Sequence, residues 1–221
     1  MIPPMKLTAV IFDMDGLMLD SERIYRQIFN RAAADCDFEF PATLHETLLG
    51  RTVVDMKRIV RGILKNDDLF DRFMDRNRHH HDLCFAEAPP IKRGLHELLD
   101  YLDARKIPKV VATSTPRIAA LKRLTKCGLL SRFASVSCGD EVANGKPAPD
   151  LFLLAASRIP AKPEQCVVLE DSEAGVTGAH AAGMTVCMVP DMKQPTDDIR
   201  ARAHGVYESL VHVREMFEAM V

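Results

Sequence analysis

The chain has 221 residues, 47% hydrophobic and 27% charged, with a formal net charge of −2. That is the composition of a folded globule large enough to bury a core, and neither a basic excess nor a basic stripe with interleaved aromatics points to nucleic acid. No apolar run approaches the roughly 20 residues that cross a bilayer. The opening residues MIPPMKLTAVIFD lack the charged region, apolar stretch and cleavage site of a signal peptide, so a cytoplasmic protein with no membrane partner is expected. Cys36, Cys84, Cys127, Cys138, Cys166 and Cys187 are scattered without a C-x-x-C pair, which predicts reduced and mostly buried thiols.

In chain order, the first strand is predicted over LTAVIF (7–12), and it ends on two acids set two apart, Asp13 and Asp15. Residues 21–87 then read as helical, with heptad-like apolar spacing in SERIYRQIFNRAAADC and TVVDMKRIVRGIL. A structureless loop of that length is improbable. The prediction is an α-helical cap domain over 21–87, inserted into a core made of 1–20 and 88–221. The Pro-Pro of EAPPIKRG (87–94) suits a hinge. RHHHD within this module (78–82) is expected to be a solvated helix face, because three consecutive helical residues point in different directions.

Beyond the module, helices are predicted over 93–105, 116–129, 149–158, 173–182 and 196–203. They alternate with apolar runs KVVAT (109–113), ASVSC (134–138), CVVLE (166–170) and TVCMV (185–189), and GVYES (205–209) is a candidate sixth strand. Most runs are apolar throughout, as strands buried on both faces of a parallel sheet are. Strand–helix alternation of this kind makes an α/β fold with a doubly wound, Rossmann-like parallel sheet.

Open parallel sheets bind ligands beyond the carboxyl ends of their strands. Asp13, Asp15, Glu170 and Asp171 would converge there. Each acid pair alone also fits a loop or a helix cap, but four carboxylates in one closed cleft need a cation. All-oxygen donors favour a hard ion, Mg²⁺ with a phosphate being the usual combination. In TSTPR, Thr115 reads as an N-cap and Pro116 as the first helical position, placing an anion-binding helix start beside Thr113 and Ser114. Lys146, between Gly145 and Pro147, would balance the acids and grip a phosphate as a point charge. Gly175, Gly178 and Gly183 have the wrong spacing for a dinucleotide fingerprint and are expected to serve a tight turn and close packing.

FDMDG, the Thr113 segment, GKPAPD and LEDSEAG stand in the order and spacing of the four motifs of the haloacid dehalogenase superfamily. The chain resembles its branch of small sugar-phosphate phosphatases and β-phosphoglucomutase-like enzymes, which carry a helical cap after the first motif. The resemblance implies that Asp13 is a nucleophile forming an aspartyl-phosphate, and that Asp15 is the general acid and then the base. It implies Mg²⁺ held by Asp13, the backbone carbonyl of Asp15, and Asp171, with Glu170 in contact directly or through water. Thr113, Ser114 and Lys146 would hold the phosphate. Arg51, in the cap loop LLGRTVVD, would hold a second anionic or hydroxyl-rich part of the substrate. The mutases show G-x-S-R where this chain has Gly50-Arg51-Thr52-Val53, and Tyr25 stands near the place of their histidine; both departures favour water as the acceptor. The expected activity is therefore hydrolysis of a small phosphorylated metabolite, a sugar phosphate or nucleotide-like phosphate, by a monomer. A β-phosphoglucomutase-type phosphomutase is the alternative, and a non-catalytic phosphate sensor on the same fold the third possibility. Segments near 17–21 and 87–93 are expected to act as cap hinges.

Overall fold

β1 (Ala9–Phe12) leads into four helices, α1 (Glu22–Ala34), α2 (Ala42–Leu48), α3 (Val53–Leu64) and α4 (Asp67–Cys84). Then follow α5 (Leu95–Ala104), β2 (Lys109–Thr113), α6 (Arg117–Lys126), β3 (Val136–Cys138), α7 (Asp150–Ala156), β4 (Cys166–Glu170), α8 (Glu173–Ala181), β5 (Thr185–Met188), α9 (Asp197–Arg202), β6 (Gly205–Val206) and α10 (Leu210–Glu218). This computed structural model describes residues 7–220, apart from the side chain of Ala42. The expectation about a leader falls partly on residues 1–6, outside the described residues.

The six strands form one sheet in the order β3-β2-β1-β4-β5-β6, every pair parallel. Successive side chains of a strand point to opposite faces, and here both faces are covered. Val10, Phe12, Val111, Val167 and Leu169 pack on one face under α5, α6 and α10. Ala9, Ile11, Val110, Val168 and Val186 pack on the other under α7, α8 and α9. That is why the runs are apolar throughout. Element ends differ from the sequence expectation by a residue or two, except that β6 keeps only Gly205–Val206 of the predicted 205–209 and α6 stops at Lys126 instead of 129. β6 is short because the chain turns at once to enter α10 at Ser209.

The four helices α1–α4 bury their own apolar cluster, in which Phe29, Phe40 and Phe73 stack at centroid distances of 5.0 to 6.2 Å. α1 supplies Phe29, Ala32 and Ala33, with Tyr25 packed against them, a stripe at helical spacing. Two strands of chain join this cluster to the sheet, and they run side by side. Asp20 N–H donates to the Pro90 carbonyl at 2.8 Å and Lys92 N–H to the Met18 carbonyl at 2.9 Å. Asp191, on the loop after β5, has a buried side chain that accepts from Arg23 of α1 at 2.8 Å and from Lys92 at 2.6 Å. All six cysteines are free, and among the described residues no helix is long and apolar enough to cross a membrane.

Candidate active site

The sheet order reverses beside β1: the chain steps outward through β2 and β3 on one side and through β4, β5 and β6 on the other. Such a reversal opens a crevice at the carboxyl ends of the two central strands. Asp13 follows β1, and its N–H donates to the Leu169 carbonyl at 3.0 Å, which keeps it level with the end of β4. Glu170 ends β4, Asp171 follows it, and Thr113 ends β2.

Lys146 is completely buried among these groups. Its Nζ donates to Asp13 Oδ1, to Glu170 Oε1 at 2.5 Å and to the Ala112 carbonyl at 3.2 Å. The other Glu170 oxygen accepts from Ser172 N–H and Oγ, each at 2.9 Å. Glu170 thus spends both oxygens on holding Lys146 and the start of α8. Gly175 makes this possible, since a Cβ there would overlap the Glu170 carboxylate. Gly175→Ala should therefore push Glu170 off Lys146, destabilising the protein by about 1–3 kcal/mol. Chemical denaturation together with a fall in turnover checks it; a fully active, equally stable variant would contradict it. Gly16 has the same relation to Asp171 and also takes φ +90°, a backbone region that favours glycine.

Asp15 is held by three side chains. Its Oδ1 accepts from Ser21 Oγ at 2.6 Å and Arg123 Nη1 at 2.9 Å, and its Oδ2 accepts from Thr115 Oγ1 at 2.6 Å. Arg123 is buried, lies 3.9 Å over the Phe85 ring and donates through Nη2 to His81 Nε2 at 3.0 Å. Sequence reasoning missed Arg123, Ser21 and His81. The signal for Arg123 was its spacing: Pro116, Ala119 and Arg123 fall on one face of α6, and all three line the cleft.

Two local expectations are corrected. Thr115 does not cap α6. Pro116 is the N-cap and Arg117 the first helical residue, because the Thr115 hydroxyl is committed to Asp15. The Arg117 N–H is taken by Asp140 at 3.0 Å, so the first turn is already supplied with an acceptor. The three histidines are not one solvated face. His79 is exposed, but His80 pairs with Asp35 at 2.9 Å and His81 turns into the cleft between Tyr25 and Arg123. They do face different ways, as helical geometry requires.

Thr113 Oγ1 accepts from Thr115 N–H at 3.1 Å. Ser114 Oγ donates to the Gly50 carbonyl at 2.8 Å, tying the loop that carries Arg51 to the sheet edge. Asp13, Asp15, Thr113, Ser114 and Arg51 all line one cleft of about 340 Å³. Lys146, Glu170 and Asp171 are not in its lining: Lys146 and Glu170 are completely buried behind Asp13, and Asp171 stands beside Gly16.

The electrostatics are those of a site short of positive charge. Burial pushes the Asp13 carboxyl up to about 8, against the pull of Lys146. Burial, then the charges of Glu170 and Asp13, lift Asp171 well above the carboxylate range. Burial and the charges of Asp15 and Asp13 do the same to Glu22. Burial alone would lower Lys146, but Asp13 and Glu170 raise it above its ordinary value. Two buried cations, Lys146 and Arg123, do not offset Asp13, Asp15, Glu22, Glu170 and Asp171. Among the described residues no three His, Cys, Asp or Glu side chains form a metal cage. A hard divalent ion that keeps waters and takes one or two carboxylates needs no such cage. Asp13, Asp171 and the Asp15 carbonyl are donors of that kind, so the residues present fit such an ion.

The family model described as haloacid dehalogenase-like hydrolase matches residues 10–189. The phosphorylated carbohydrates phosphatase of Thermotoga maritima is 34% identical over 213 residues, covering 96% of this chain and 91% of that protein. A protein named "Probable pseudouridine-5'-phosphatase" from Drosophila melanogaster is 36% identical over 192 residues, covering 84% and 83%. The crystal structure of β-phosphoglucomutase from Clostridium difficile aligns with a TM-score of 0.82 over 97% of this chain and 96% of that one; at 19% identity this bears on the fold alone. A family match spanning both central strands and everything between them is decisive: the chain belongs to the haloacid dehalogenase-like hydrolases and is an enzyme of their phosphoric monoester hydrolase kind.

Proposed function

We propose that this enzyme is a Mg²⁺-dependent phosphatase that hydrolyses a small phosphorylated metabolite through an aspartyl-phosphate on Asp13. The observation that carries the reading is the convergence of Asp13, Lys146 and Glu170 at the reversal of the sheet, under an open cleft. Residues 21–87 act in it as the cap, and 1–20 with 88–221 as the catalytic core. The paired linkers beside Asp20 and Pro90 are the hinges.

Asp13 attacks phosphorus with the oxygen that Lys146 does not hold. Asp15 gives a proton to the leaving oxygen and then takes one from the attacking water; Ser21 and Arg123 occupy Oδ1 and Thr115 takes one of the two lone pairs of Oδ2, so the proton is carried on the remaining site of Oδ2. Lys146 and the backbone N–H groups near Thr113 and Ser114 stabilise the charge on the phosphoryl oxygens. Glu170 keeps Lys146 aimed. Asp13, Asp171 and the Asp15 carbonyl would hold Mg²⁺, which when bound shields the nucleophile from the anionic phosphate. Arg51 meets the part of the substrate that enters from the cap. The two relatives are named for a carbohydrate ester and a nucleoside ester, so similarity alone leaves the leaving group open.

Phosphate release from sugar, nucleotide and polyol phosphates, with Mg²⁺ and with chelator, tests the reading. Metal-dependent release supports it. Release indifferent to chelator would refute the metal role. Interconversion of β-glucose 1-phosphate that needs a bisphosphate primer would make the enzyme a mutase.

Metal removal has a signed consequence for stability. In the metal-free protein Asp13, Asp171 and Glu22 hold protons more tightly folded than unfolded. Their contribution is present below the ordinary carboxylate range and is lost as pH rises toward about 8. With chelator, the denaturation midpoint should therefore fall between about pH 5 and about pH 8, and Mg²⁺ should restore it most at the upper end. A midpoint that rises over that interval in chelator would refute this account.

A further inference from the structure

The half of the cleft that faces the cap is built from residues the chemistry above does not use. Phe29 and Leu48 are buried in its wall, and Tyr25, Met56 and Met74 are half-buried there. Polar groups also line this surface, His45 and Asn77 among them. His45 is buried with its ring edge-on to Phe29, at a centroid distance of 6.0 Å. Asn77, on α4, also lines the cleft, and its amide nitrogen is buried without a hydrogen-bond partner. The long cations Lys57 and Arg78 are exposed at the mouth.

This surface discriminates between kinds of leaving group. A hexose or polyol carries a hydroxyl on nearly every carbon, and each one stripped of water against an apolar wall without a partner costs free energy. A planar ring system places its faces against aromatic and thioether side chains and has polar atoms only at its edge. A buried amide nitrogen without a partner is uncommon in a folded chain and calls for an explanation. A carbonyl oxygen on the edge of a bound ring supplies one. His45 suits the same edge: burial, helped by Arg26, pushes its ring down to about 4, so near neutral pH it offers one donor and one acceptor. The whole cleft, its catalytic end included, measures about 340 Å³, which lies in the range of small-ligand pockets.

We propose that the substrate is a nucleoside monophosphate, its heteroaromatic base lying among Tyr25, Phe29, Met56 and Met74 with its polar edge on Asn77 and His45. The proposal rests on the phosphatase reading for its chemistry but on the cap wall for its specificity. With Mg²⁺, at least one of UMP, CMP, AMP and GMP should exceed glucose 6-phosphate, fructose 1-phosphate and glycerol 3-phosphate by about tenfold or more in kcat/KM. Asn77→Leu, close in volume but without the amide, should raise the nucleotide KM about tenfold, change kcat little, and shrink the preference over hexose esters. A sugar or polyol ester as the best substrate, or an equal loss on both classes in Asn77→Leu, would overturn the assignment.

Titration calorimetry on the Asp13→Asn protein separates the two readings. Tighter binding of a nucleoside monophosphate than of glucose 6-phosphate upholds the assignment even where nothing is hydrolysed, in which case the phosphatase reading alone fails. Equal binding overturns the assignment even where hydrolysis is seen.

Discussion

Asp13→Asn should remove turnover by roughly 10⁴-fold or more while the protein stays folded. The substitution keeps the shape of a side chain that is 5% exposed and sits on a fixed backbone, so packing on β1 and β4 is undisturbed. It replaces the attacking oxygen by an amide that cannot form an acyl phosphate. The stability change should be small, because two effects oppose each other. Lys146 loses one of its two carboxylates, while the buried acids lose a charge that burial already disfavours. Substrate should still bind, since Lys146 and the sheet-edge N–H groups remain and one repelling charge has gone. Phosphate release, thermal unfolding and calorimetric binding make the three measurements. Residual activity within tenfold of the parent would remove Asp13 from the nucleophile's place, and with it the aspartyl-phosphate.

The sequence carried the parts of this site that lie at strand ends. Asp13, Thr113 and Glu170 close unbroken apolar runs, and an apolar run that stops on a polar residue announces both a buried strand and a sheet edge. The sheet order then brings the three together, as strand–helix alternation requires. Helix faces were harder to read. Arg123 lies two turns into α6, where its spacing from Pro116 and Ala119 gives it a face but not a partner; its burial comes from Phe85 and His81, which are separated from it by some forty residues of sequence. Thr115 followed by Pro was read by its local capping pattern, and a distant carboxylate, Asp15, outcompeted that pattern for the hydroxyl. His81 was misjudged for a related reason. Polarity suggested solvent for the whole cluster, although one of three consecutive helical residues can point inward while its neighbours do not. The helical lining of the cleft was not legible at all, since Tyr25, His45, Met56 and Asn77 come from four different helices, and only their packing defines a shared surface.

Lys146→Met should be the most damaging single change for stability and activity together. A methionine fills much of the same space, so the effect is not a cavity. The loss is the one cation that Asp13 and Glu170 share, together with the donor to the Ala112 carbonyl. Removing one partner of a buried charge network strands the others, typically at about 3–5 kcal/mol. Glu170, completely buried and still held by Ser172, has no route to water and must take up a proton or break the start of α8. Turnover should fall by roughly 10³-fold or more, since a buried donor to the developing phosphoryl charge has gone. A double change separates the two roles. Adding Glu170→Gln to Lys146→Met removes the stranded charge, so stability should recover by more than independent effects allow, while turnover stays lost. Additive destabilisation in urea titrations would mean that Lys146 and Glu170 are not energetically linked. Recovery of turnover together with stability would mean that Lys146 serves the fold and not the phosphoryl group.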